Sequence, residues 1–123
     1  MKSVLIIFGI LALTAFFLSC SNTPTGSNTP EPKIVDVSIV DNQFQPPSKT
    51  INVNDTVKWT NNGVRVHTST SGVNGVPDGK WDSGDLQPGI SYSFKFTSTG
   101  TFNYYCTHHV TMGMTGTITV VQP

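Results

Sequence analysis

The chain has 123 residues, enough for one ordinary domain. Seven Lys and Arg balance seven Asp and Glu, and charged side chains make up only 11% of the total. Without a basic stripe or an acidic block, nucleic-acid binding and a solvating tail are excluded, and 11 Gly with 8 Pro speak for turns rather than long helices.

The first segment is not part of a fold. Met1 and Lys2 give a short positive start, and residues 4–18 form a nearly unbroken apolar run, short for a membrane span. It ends in Phe17-Leu18-Ser19-Cys20, which is similar to a bacterial lipoprotein cleavage site, with Phe17 where Leu is more usual. Residues 1–19 therefore read as a lipoprotein-type signal peptide, with Cys20 as the lipidated N-terminus. An ordinary signal peptide and an uncleaved anchor are the alternatives. All three place the domain outside the cytoplasm, on the periplasmic or cell-surface side. Residues 20–32 read as a flexible linker, because the run Ser-Asn-Thr-Pro-Thr-Gly-Ser-Asn-Thr-Pro-Glu-Pro from Ser21 has no apolar anchor. It would let a lipid-anchored domain stand off the membrane.

From Lys33 to Pro123 the pattern changes to short strands. Residues 34–40 alternate and are β-branched. Residues 50–53 and 56–60 follow, split by Asn54-Asp55, and 65–70 is a further candidate. Residues 71–86 are the least regular and read as a long connection. Residues 90–97 alternate with Tyr92, Phe94 and Phe96 on one face. Residues 101–106 place Phe102 and Tyr104 on the face of Cys106, and 115–121 close the chain. Asn62-Gly63, Pro77-Asp78-Gly79, Pro88-Gly89 and Thr99-Gly100 mark turns. Seven or eight short strands at this spacing predict an all-β Greek-key sandwich.

The chemistry is concentrated in the segment from Tyr104 to Gly116. It carries Cys106, His108, His109, Met112 and Met114 between two strand patterns. A thiolate and two imidazoles with a long axial thioether make a mononuclear blue-copper site. Structural zinc prefers four strong Cys or His ligands. Covalent haem would need a second Cys, and so would a dinuclear copper centre. The loop supplies one side of such a site, and the second imidazole must come from elsewhere. His67 is the remaining histidine of the chain. Cys106 is an unpaired cysteine if Cys20 carries lipid, and metal ligation explains it. A Cys20–Cys106 disulfide is the rival.

The order of motifs resembles the cupredoxins, in particular their plastocyanin, amicyanin and pseudoazurin branch. The resemblance rests on Phe44-Gln45-Pro46, Ile51-Asn52-Val53, Asp55-Thr56-Val57-Lys58-Trp59, His67-Thr68, Trp81-Asp82-Ser83-Gly84, Phe102-Asn103-Tyr104-Tyr105-Cys106 and Met114-Thr115-Gly116-Thr117-Ile118. It implies one copper ion held by His67, Cys106, His109 and Met114. The family spacing Cys-x-x-His selects His109 over His108, which stands where relatives commonly have Pro. Met112 would fit a shorter loop, whereas Met114 stands two residues before Gly116, as the family Met does. Backbone donors near Thr68 and Thr107 are the expected partners of the Cys106 sulfur.

The resemblance also implies one-electron transfer between Cu(I) and Cu(II), not catalysis, by a monomer that meets redox protein donors and acceptors transiently. His109 would be the electron port, framed by Val110, Met112 and Pro88. Tyr105 points to the opposite face from Tyr104 by strand alternation and is expected as a second contact surface. Copper storage, sensing or delivery is the alternative function.

Overall fold

A computed structural model describes residues 29–123. The expected signal peptide, Cys20 and most of the expected linker lie outside the described residues. Nine strands follow in order: β1 (Ile34–Val40), β2 (Gln43–Gln45), β3 (Ser48–Asn52), β4 (Thr56–Asn61), β5 (Thr70–Val73), β6 (Val76–Asp82), β7 (Ser91–Lys95), β8 (Gly100–Tyr105) and β9 (Thr115–Val121). A single 3-10 turn, Val110–Met112, interrupts them. They form a four-stranded sheet in the order β2-β1-β4-β7 and a five-stranded sheet in the order β3-β9-β8-β5-β6. The β1–β4 and β3–β9 pairs are parallel, and the others are antiparallel. The described residues thus form the all-β Greek-key sandwich expected from the sequence, with nine strands instead of seven or eight.

Alternation explains most of the strands. Val35, Val37 and Ile39 of β1 are buried, as are Val57 and Trp59 of β4 and Ile118 and Val120 of β9. Aromatic rings bind the two sheets together. Trp59 stacks on Trp81 of β6 at 5.6 Å between centroids and meets Tyr104 of β8 edge-on at 5.5 Å. Phe44 of β2 meets the same Tyr104 at 4.6 Å. Such pairs contribute about 0.5–1.5 kcal/mol each beyond their burial. The Trp59 indole N–H and the Tyr104 hydroxyl are buried without a well-formed hydrogen bond. Burial pushes the Tyr104 phenol up to about 12, against the opposing influence of the nearby Trp59 N–H. Gly116 on β9 is required by this ring, since a Cβ there would lie 2.2 Å from Tyr104 Cζ. The Asp55 carboxylate, buried in the β3–β4 turn, accepts the N–H groups of Lys33 and Asn52, each at 2.9 Å.

The irregular connection expected over 71–86 is instead largely a hairpin, β5–β6, with Val73 paired to Val76. Its two-residue turn, Asn74-Gly75, has φ of 52° and 79°, the positive pair that a type I′ turn needs. Alternation hid the strands. Residues 70–72 of β5 are all buried, and all of β6 except Trp81 is exposed. Buried Ser71 explains the polar content. Its Oγ donates to the Trp81 carbonyl and accepts the N–H groups of Lys80 and Trp81, where the pairing register shifts. The candidate strand 65–70 is also corrected. Only an isolated bridge from His67 to Leu86 precedes β5.

Candidate metal centre

His67 sits in the segment between β4 and β5. Its backbone N–H donates to Leu86 O at 3.2 Å, and Leu86 N–H returns to His67 O at 2.8 Å. This doubly bonded bridge fixes the histidine inside the sandwich. Cys106 follows the last residue of β8, and its N–H donates to Met114 O at 3.1 Å, continuing the β8–β9 ladder. The loop between them folds on itself. His109 N–H reaches Cys106 O at 3.2 Å, and Met112 N–H and Met114 N–H both reach His109 O. Gly113 permits the reversal with φ of 76°.

These two elements bring three donor atoms together. Cys106 Sγ lies 3.7 Å from His67 Nδ1 and 3.4 Å from His109 Nδ1, and all three atoms fall within 4.8 Å of one another. An ion with metal–sulfur near 2.3 Å and metal–nitrogen near 2.0–2.1 Å would hold sulfur and nitrogen about 3.5–3.8 Å apart in tetrahedral or trigonal geometry. The His67 separation of 3.7 Å falls in that range and the His109 separation of 3.4 Å lies just below it. The donor set suits copper. His67 and Cys106 are fully buried, and His109 keeps 8% of its surface. Burial first, and then the neighbouring His67, Arg65 and His108, push His109 below its ordinary value. A neutral imidazole is the form that ligates a metal.

Met114 is 1% exposed and Met112 is 59% exposed. His108 turns away from the triangle. Its Nε2 lies 2.7 Å from Asp85 Oδ1 in an exposed pair. Around the sulfur, Thr68 N–H donates to Cys106 Sγ at 3.4 Å. The expected Thr107 donor is redirected, because its N–H donates to Thr68 Oγ1 at 2.9 Å. Thr68 therefore ties the His67 segment to the Cys106 loop.

The structure corrects the expectation for Tyr105. It does face away from Tyr104, but only 3% of its surface is exposed. It lies on β8 between β5 and β9, and burial together with Asp82 and Asp78 pushes its phenol up. Val110 is half-buried beside the exposed Met112.

Sequence reasoning missed Asp41. Its Oδ1 lies 3.4 Å from His67 Nε2, the far nitrogen of the ring. It also accepts the N–H groups of Val64 and Arg65 at 3.1 and 3.3 Å. Burial pushes the carboxyl up, but the hydrogen bonds from His67, Val64 and Arg65 outweigh it and hold the group below its usual range. Asp41 is 26 residues from His67, so no local spacing signals the contact.

Comparison with known proteins agrees with this geometry. The family model for copper binding proteins of the plastocyanin/azurin family matches residues 33–121. The chain is 40% identical over 83 residues to plastocyanin of Scenedesmus fuscus, covering 63% of this chain and 85% of that protein. It is 35% identical over 83 residues to the chloroplastic plastocyanin of Tetradesmus obliquus, covering 63% of this chain and 57% of that longer protein. Among solved structures it is similar to a purple cupredoxin from Nitrosopumilus maritimus, with a TM-score of 0.65 and 28% identity over 71% of this chain and 99% of that one. An oxidised mutant of amicyanin gives a TM-score of 0.63 and 25% identity over 72% and 82% of the two chains. A sandwich of this topology, a buried His-Cys-His triangle and these matches lead to one conclusion: the chain belongs to the copper-binding plastocyanin/azurin family, the cupredoxins.

Proposed function

We propose that the protein carries single electrons on one copper ion, which His67, Cys106 and His109 would hold, with the Met114 thioether as a fourth, weaker donor. The carrying observation is the buried triangle of one thiolate and two imidazoles, fixed by two different parts of a rigid sandwich. Copper supplies the Cu(I)/Cu(II) couple. The protein's own residues keep the donor positions constant between the two states and exclude water from them. Thr68 N–H withdraws charge from the Cys106 sulfur. His109, at the margin of the buried site, passes the electron to and from redox proteins that dock briefly on Val110 and Met112. Weak electron-transfer encounters use small interfaces. The protein works as a monomer and catalyses no reaction of its own.

The same reading places the domain outside the cytoplasm of a bacterium, held by lipid at Cys20 through the linker 20–32. The apolar run and Ser19-Cys20 support it. A copper storage, sensing or delivery role is the competing reading, favoured by the exposure of Met112 and His108 next to the site.

The test is a visible and electron-paramagnetic spectrum of the protein with one equivalent of copper(II), before and after ascorbate. An intense thiolate-to-copper band with narrow hyperfine splitting, bleached by ascorbate and restored by oxidant, is expected. A weak spectrum of ordinary nitrogen and oxygen ligation would contradict the proposed ligand set.

A further inference from the structure

Resting on that reading, we propose that Asp41 is a positioning residue of the copper centre: its carboxylate holds the His67 ring by Nε2–H, presents Nδ1 to the metal and lends the site a negative charge. An imidazole that binds metal through one nitrogen must place its other N–H somewhere, and His67 is fully buried. Nδ1 faces the sulfur at 3.7 Å. Among the described residues Nε2 has one hydrogen-bond partner, Asp41 Oδ1 at 3.4 Å. A carboxylate behind a ligating histidine fixes the ring's tautomer and orientation and raises its basicity.

The loop after β4 is shaped around this carboxylate. Asp41 Oδ1 takes the N–H groups of Val64 and Arg65 as well as His67. A Cβ on Gly63 would sit 2.5 Å from the same oxygen, so the glycine is what allows the approach. Buried Asn61 then braces the loop. Its Nδ2 donates to Arg65 O at 2.7 Å and to Leu86 O at 2.8 Å, and its Oδ1 accepts Gly63 N–H at 3.0 Å. Leu86 is the residue that brackets His67 on the other side. Asp41, Gly63 and Asn61 thus converge on one ligand from three positions in the chain. A fixed negative charge there favours copper(II) over copper(I).

Asp41→Asn separates charge from shape, since the amide oxygen can still accept the same donors. The copper-loaded full chain should keep its thiolate-to-copper band. Its copper(II) affinity should fall about tenfold relative to copper(I), which raises the midpoint potential by about 59 mV for a one-electron couple. Asp36→Asn, which removes an exposed carboxylate from β1, serves as the control and should shift the potential far less. An Asp41→Asn shift no larger than the control's would overturn the inference. A second readout needs no mutant. In the copper(I) protein the His67 Nε2–H proton should exchange slowly with water by NMR, and rapid exchange would equally overturn it. A wild-type protein with no thiolate-to-copper band would instead bring down the electron-carrier reading, and this inference with it. The band present with no Asp41→Asn effect would remove the Asp41 role alone.

Discussion

Cys106→Ser is expected to abolish the thiolate-to-copper band and to lower copper(II) affinity by more than about 100-fold, beyond what loss of an outer hydrogen bond costs. The substitution is nearly isosteric at a fully buried position, so the space around the donor hardly changes. What changes is the chemistry. A thiol ionises readily when a metal binds, and its soft sulfur shares charge with copper. A serine hydroxyl does neither. It also leaves Thr68 N–H facing oxygen instead of sulfur. The folded state should survive, because the new hydroxyl costs only about 1–3 kcal/mol even if poorly paired. A visible titration with copper(II), run beside far-ultraviolet circular dichroism, checks both halves. An intense band in a folded Cys106→Ser protein would show that the thiolate is not the ligand.

Met114→Leu is expected to raise the midpoint potential by roughly 59 mV or more, a tenfold or greater preference for copper(I), whereas Met112→Leu leaves it nearly unchanged. Burial carries the distinction. Met114 is packed at the end of the loop where its carbonyl bonds Cys106 N–H, and Met112 stands in solvent on the 3-10 turn. Leu conserves volume, so the Met114 variant should lose less than about 1.5 kcal/mol of stability and keep its three strong ligands. Voltammetry of the two variants side by side is the check. Equal and small shifts would refute Met114 as the fourth donor.

The site was more legible in the sequence than part of the scaffold. Cys106, His109 and Met114 fall within nine residues, and a soft donor set so dense has few other uses. His67 was reachable because the chain has only three histidines. For the β5–β6 hairpin, the turn Asn74-Gly75 is the one signal the sequence carries. Its strands break the period-two rule, because β5 is buried between β6 and β8 while β6 is an exposed edge. Tyr105 failed for a related reason. Alternation gives the side of a sheet a residue faces, but not whether that side is covered. Asp41 was beyond reach, since a contact 26 residues away through a turn leaves no pattern in the chain.

The most direct test of the electron-carrier account is repeated voltammetric cycling of the copper-loaded protein with a competing copper(I) chelator in solution. The account predicts one electron per chain in each direction, with the copper retained over many cycles by a site whose three strong donors are buried. Transfer of the copper to the chelator on the first reduction would contradict it and identify the protein as a copper delivery or storage module.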